Sequence, residues 1–360
     1  MPSILDTQTF TEFKRARYFP ALDGLRAVSI LLVLVFHTHD RLWDPLNGYL
    51  GVTIFFVISG FLITTLLLRE EERDGRASIW RFYVRRAFRI FPLYYLSLIA
   101  VSVLVLGFGM GSHPENYPGR LPLLATYNGE FAGSGTFSHS WSLGIEEKFY
   151  LVWPFLGFAL AAFMRKRLLI ASVLLVSSMA STPFVGWNYF AIYIPILAGV
   201  VLAILMNQEK TFNIVRQLAR PVPGTLILAG TTAALLMNDD VTYVHVPFSI
   251  LAALSLPLAL IGPRFIGNAL SWKPLRYVGT RAYGIYLFHP MLLDIVDRVL
   301  PMNEDYPLLS LARVVLLLGS SLAVAEVLFR LFENPLIKVG RRLTKKEPAR
   351  RRSDTVGVSA

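Results

Sequence analysis

An all-α protein that crosses a membrane about ten times, with both chain ends in the cytoplasm, is the fold class this sequence predicts. Three observations lead there. First, 54% of the 360 residues are hydrophobic and 16% are charged, with a mean hydropathy of +0.52. A soluble domain carries about 25% charged residues, so this much apolar surface points to lipid contact rather than to a core alone. Second, apolar stretches of bilayer length, about 20 residues each, recur along the chain. Third, basic residues crowd into alternate loops, as the positive-inside rule requires.

The elements follow in order. Residues 1–20 are polar, with Lys14, Arg15 and Arg17, and lack the basic, apolar and small-residue pattern of a cleaved signal. They read as a cytoplasmic segment. Ten spans are expected at roughly 21–39, 48–68, 90–108, 141–162, 167–183, 187–206, 222–238, 244–262, 280–299 and 307–331. Residues 21–338 form one transmembrane domain, with no internal repeat. The longest connection, about 32 residues between the third and fourth spans, is rich in Gly, Pro and Ser. Residues 339–360 read as a basic, disordered cytoplasmic tail.

With the N-terminus inside, the inner segments hold the cluster from Arg69 to Arg89, Arg165 to Arg167, Lys210 to Arg220, Arg264 to Arg281 and the tail. The outer loops hold Arg41 and Arg120. The net charge of +11 is therefore a topology signal and not a nucleic-acid footprint. The chain has no cysteine, which excludes disulfides, thiolate metal sites and a cysteine nucleophile.

Charged groups inside a span are costly and usually face a cavity. The first span carries Asp23 and Arg26 near one end and His37 near the other. Arg26 and His37 are eleven residues apart, about three helical turns, so they share a face about 16 Å long. Ser59 and Gly60 in the second span suit close helix packing. Between the second and third spans, Arg81, Arg85 and Arg89 recur every four residues opposite Ile79, Phe82 and Tyr83. That pattern predicts an amphipathic helix over 78–92 lying in the cytoplasmic interface, with Pro92 in the first turn of the next span. Its arginines suit either anionic headgroups or a phosphate ligand. The fourth span opens with Trp141 and Ser142, followed by Glu146 and Glu147. Ser142 and Glu146 share a face. Tyr286 and His289 lie in the ninth span, Glu326 in the tenth and Glu333 just beyond it. No metal-ligand spacing is evident.

These pieces together resemble the acyltransferase-3 family of membrane O-acyltransferases. They are L-D-G-L-R-A at 22–27 with His37 beyond it, F-F-V-I-S-G-F-L at 55–62, R-R-A-F-R-I-F-P-L-Y at 85–94, W-S-L-G-I-E-E-K-F-Y at 141–150, Y-G-I-Y-L-F-H at 283–289 and F-E-N-P at 332–335. The resemblance implies an acyl-CoA donor, most often acetyl-CoA, on the cytoplasmic side. It implies as acceptor a hydroxyl of a cell-surface or exported glycan or a lipid-linked sugar, such as lipopolysaccharide or exopolysaccharide. A secreted small molecule such as a macrolide is the alternative acceptor. It places the protein in the bacterial inner membrane among lipids, with no nucleic-acid partner and no metal. It makes Arg26 and His37 an essential pair and gives Arg85, Arg86 and Arg89, together with Arg26, to binding of the CoA donor. Ser142 and Glu146 join the catalytic group, and Trp141, Tyr286 and His289 contact substrate. Glu146 is expected to orient His37 or to act as base. His37 acts as general base or as a transient acyl carrier. No esterase-like domain of the kind some relatives carry is read in the sequence. A proton-coupled transporter is the rival reading for a bundle with buried His, Glu and Arg.

Overall fold

The computed structural model describes residues 7–160, 165–185, 189–237, 241–302 and 306–345. Among these residues the fold is helical, with no strand. The helices are α1 (Phe10–Arg15), α2 (Pro20–His37), α3 (Leu50–Asp74), α4 (Ile79–Phe108), α5 (Tyr117–Ala125), α6 (Trp141–Pro154), α7 (Arg167–Val185), α8 (Ile194–Met206), α9 (Glu209–Leu218), α10 (Pro221–Leu236), α11 (Val241–Ile261), α12 (Arg264–Leu270), α13 (Lys273–Val299), α14 (Pro307–Leu328) and α15 (Asn334–Leu343). Each of the ten predicted spans is helical over most of its described length. By length and apolarity, five helical segments suffice to cross a membrane. A sixth counts if α8 and α9, bent by 119° at their junction, form one broken span.

Three elements depart from the sequence reading. The basic segment at 78–92 is not a separate interfacial helix. It is the first half of the 30-residue α4, and Pro92 lies inside that helix. The Ser78 side chain caps its N-terminus by accepting from the Arg81 N–H. Arg81 pairs with Glu70 and Asp74, and Arg85 with Glu70, at the end of α3. One turn of π-helix, Phe155–Ala159, extends α6, and a second, Phe329–Glu333, joins α14 to α15. Helix α15 carries the fold through Val339 to Leu343, past the predicted boundary of the tail. Residues 346–360 of that tail lie outside the described residues.

Packing is tightest where small residues let backbones approach. Helices α3 and α8 interlock reciprocally. A Cβ on Gly60 would lie 1.9 Å from the Ile196 carbonyl oxygen, and one on Gly199 would lie 2.2 Å from that of Val57. Gly279 of α13 makes an equally close approach to the Asp23 carbonyl of α2. That contact presses the polar face of α2 along α13. Gly60→Val is therefore expected to cost about 1–3 kcal/mol through overpacking. Gly107→Ala, with nothing within 4 Å of the added carbon, should raise the melting temperature in detergent slightly, because Ala replaces Gly inside a helix. Apolar side chains exposed on α7, α10 and α14, among them Val176, Leu226 and Val315, form the kind of surface that lipid covers.

Residues 109–140, the long connection, fold against the α4 end of the bundle. Their organiser is Arg120 on α5. It is 7% exposed, and its guanidinium donates to the carbonyls of Ala132, Gly133 and Thr136 at 2.9, 3.0 and 2.9 Å. Those bonds hold the segment that leads into α6.

Candidate active site

One cavity, with about 820 Å³ of empty space including its open mouth, lies between α2, α3, α4, α6 and α13. That is the scale of a small-molecule site. Its polar lining includes Arg26 from α2, Ser59 from α3, Arg86 and Arg89 from α4, Ser142, Glu146, Glu147 and Tyr150 from α6, and Thr280, Tyr283 and Tyr286 from α13. Six residues predicted from the sequence thus meet in one space: Arg26, Arg86, Arg89, Ser142, Glu146 and Tyr286. Arg26 is anchored by Asp23, 3.1 Å away, and Asp23 also accepts from the Tyr18 hydroxyl. The Arg86 guanidinium stacks 4.7 Å from the centre of the Tyr150 ring. Arg89 lines the cavity as an exposed residue in the field of Asp23 and Glu333.

The predicted arginine face splits. Arg85 does not line this cavity; it donates to Glu70 at 3.0 Å. One residue along, Arg86 turns inward. In a helix, neighbouring residues point about 100° apart, so only the packing of α4 on α3 and α6 decides which of the pair faces the ligand space.

Glu146 also has a partner other than the expected one. Its carboxylate accepts from the Ser59 hydroxyl at 2.5 Å, and Ser59 in turn accepts from the Tyr150 hydroxyl at 3.2 Å. It does not hold the imidazole of His37. Ser59, read from sequence as a packing residue, is a hydrogen-bond donor to Glu146. Glu326 pairs with Arg281 and Arg330 and stands apart from the cavity.

His37 lies beyond the far end of the cavity, in a cluster of three imidazoles. Its ring centre is 4.7 Å from that of His289, and His289 is 5.5 Å from His139. Ser142 and Tyr286 connect this cluster to the cavity. Their hydroxyls are 2.7 Å apart, Tyr286 donates to the His139 carbonyl, and its ring is 5.7 Å from His289. His37 Nδ1 lies 2.8 Å from the Val33 carbonyl and His289 Nδ1 lies 2.8 Å from that of Tyr286. A carbonyl only accepts, so both protons sit on Nδ1. The Nε2 atom of each neutral ring is then a free acceptor. The Nε2 atoms of His289 and His139 are buried with no protein partner. Sequence reasoning missed His139. Its position two residues ahead of Trp141 was the available signal, but only the folded loop brings it to His289. Among the described residues no group of three or more His, Cys, Asp or Glu side chains is arranged to hold a metal ion.

Trp141 faces elsewhere. Its ring packs edge-on to Phe56 at 6.1 Å and forms part of the wall of a second cavity.

Residues 19–330 match the family described as an acyltransferase domain. The chain is 26% identical, over 92% of its length, to 57% of the peptidoglycan O-acetyltransferase OatA of Listeria monocytogenes. It is 30% identical, over 76% of its length, to 48% of the putative peptidoglycan O-acetyltransferase YrhL of Bacillus subtilis. Over 93% of its length it is 26% identical to 60% of a putative O-acetyltransferase of Staphylococcus aureus. The chain thus spans about half to three-fifths of these relatives. No solved structure matches.

Proposed function

The chain belongs to the acyltransferase-3 family, and from that premise we propose that it is a multi-pass O-acetyltransferase of the bacterial inner membrane. It moves an acetyl group from cytoplasmic acetyl-CoA to a hydroxyl of an exported or cell-wall glycan. Ten spans with both ends in the cytoplasm put the basic ends of α3 and α4 inside, where CoA is. They put His37, at the last residue of α2, toward the outer face. Peptidoglycan is the favoured acceptor because the relatives from Listeria and Bacillus carry it in their names. Lipopolysaccharide and exopolysaccharide remain within the same chemistry.

The observation that carries the reading is the convergence of Arg26, Arg86 and Arg89 on one cavity whose opposite end is coupled through Ser142 and Tyr286 to the histidine cluster. Phosphates suit the arginines at the mouth, since guanidinium groups grip them bidentately. The hydroxyls of Ser59, Ser142 and Tyr150 in the rest of the lining suit the amides of a pantetheine arm. At the far end, His37 Nε2 accepts the proton of the acceptor hydroxyl as that oxygen attacks the thioester carbonyl. The new C–O bond forms, the C–S bond breaks, and the proton passes from His37 to the departing CoA sulfur. The Ser142 hydroxyl is the nearest candidate donor for the developing oxyanion, since the Tyr286 proton is held by the His139 carbonyl.

Arg86→Ala and Arg89→Ala should each weaken acetyl-CoA binding about tenfold, the loss of one charge-assisted contact. Arg85→Ala, which removes a Glu70 partner outside the cavity, should have a smaller effect. Calorimetric titration of the purified protein with acetyl-CoA measures this. Equal losses at all three positions, or none at any, would return the arginines to a structural role.

A further inference from the structure

Beside the catalytic cavity lies a second one, with about 550 Å³ of empty space including its open mouth. It is lined by Tyr49, Val52, Thr53, Phe56, Trp141, Ile192, Pro195 and His245. Val52 and Phe56 line both cavities, so the two spaces share a wall. Its position in the bundle is fixed by the helices that supply it. Tyr49 precedes the first residue of α3, Trp141 is the first residue of α6, and His245 lies in the second turn of α11. These are the helix ends nearest His37. Phe36, the neighbour of His37, packs against Tyr49 at 5.9 Å, and Tyr49 packs against His245 at 5.5 Å.

The lining is unlike the arginine cavity. It carries aromatic faces from Tyr49, Phe56 and Trp141, and polar atoms from Thr53 and His245, which lie 3.4 Å apart. Among the described residues no Lys, Arg, Asp or Glu lines it, and among these residues phosphate and carboxylate ligands find no counter-charge. A pyranose ring fits this chemistry: its C–H faces lie on aromatic rings, and its hydroxyls exchange hydrogen bonds with a threonine hydroxyl and an imidazole.

We propose that this second cavity is the acceptor subsite and seats one sugar ring of the glycan next to the ring that is acetylated. The proposal rests on the transferase reading. It extends that reading by separating the donor and acceptor sites on the two sides of Val52 and Phe56. Acetyl-CoA then enters along the arginines while the glycan enters from the His37 end, and neither has to leave for the other to bind. Tyr49, Thr53 and His245 become specificity residues, and all three lie outside the six motifs that carry the family resemblance.

Direct binding tests it without turnover. The purified protein, with no acetyl-CoA present, is titrated calorimetrically with a β-1,4-linked N-acetylglucosamine tetrasaccharide. Thr53→Val keeps the shape of the side chain and removes one hydrogen-bonding hydroxyl, so affinity should fall about fivefold. Trp141→Ala removes an aromatic anchor and should weaken binding more than tenfold. The isosteric Thr53 variant keeps the test decisive if Trp141→Ala fails to fold. A wild-type protein that does not bind the tetrasaccharide overturns the proposal, and so does a Thr53→Val variant that binds as tightly as wild type. Binding with the predicted losses supports the subsite even in a protein that transfers nothing, an outcome that would refute the transferase reading alone.

Discussion

His37→Ala is expected to reduce acetyl transfer about 10³-fold, the usual contribution of a positioned general base. The argument is geometric. The Nδ1–H of His37 is committed to the Val33 carbonyl, which fixes both the tautomer and the ring and leaves Nε2 to accept a proton. The ring is only partly buried, as a group that meets an external acceptor must be. It borders His289, whose own Nε2 is also an acceptor, so no neighbouring imidazole donates to His37 in the neutral state. The substitution removes no interhelical hydrogen bond among the described contacts, so the melting temperature should barely change. Steady-state transfer by monodisperse protein in detergent reads the result. Wild-type turnover by His37→Ala would remove the imidazole from the chemistry.

The second large effect falls far from the reacting atoms. Arg120→Ala should destabilise the protein by about 3 kcal/mol or more. It withdraws a buried guanidinium from three carbonyls at once, and a bond to a charged donor contributes about 1.5–3 kcal/mol. The carbonyls of Ala132, Gly133 and Thr136 would then need water in a packed loop. Arg120→Lys should not rescue, because one ammonium cannot reproduce a planar fork. The same loop delivers His139, Trp141 and Ser142, so transfer should fall together with stability. Thermal unfolding of the purified variants measures the effect. An Arg120→Ala protein that melts with wild type would show that the loop holds itself without the clamp.

Arg120 also illustrates where sequence reading stops. As a charge in an outer loop it counted only toward topology, because nothing local reveals which carbonyls a folded loop will turn toward it. Helix periodicity, by contrast, is local. The shared face of Arg26 and His37 is legible from their spacing, and α13 does lie along it, with Arg26 beside Gly279 in the cavity and His37 against His289. Ser142 and Glu146, one turn apart, likewise reach the same cavity. What periodicity cannot supply is the partner. Ser59 looks like a packing residue until Glu146 is placed on it. Arg85 and Arg86 are equivalent by composition until Glu70 claims one and the cavity the other. Pro92 looks like a helix start, yet α4 runs through it, and the Tyr283 hydroxyl donates to the Ile90 carbonyl beside it. Trp141 was read as a substrate contact, but only the fold separates its cavity from that of the arginines.

The central claim is that acetyl crosses from CoA on the arginine side to a glycan on the His37 side. Reconstituted vesicles test it most directly. Protein oriented with its basic face outward is given acetyl-CoA outside the vesicle and an N-acetylglucosamine oligosaccharide trapped within. The account predicts free CoA outside and acetylated oligosaccharide inside, both lost in His37→Ala. Release of CoA with no acetylated sugar inside, or acetylation that survives the loss of His37, would contradict it.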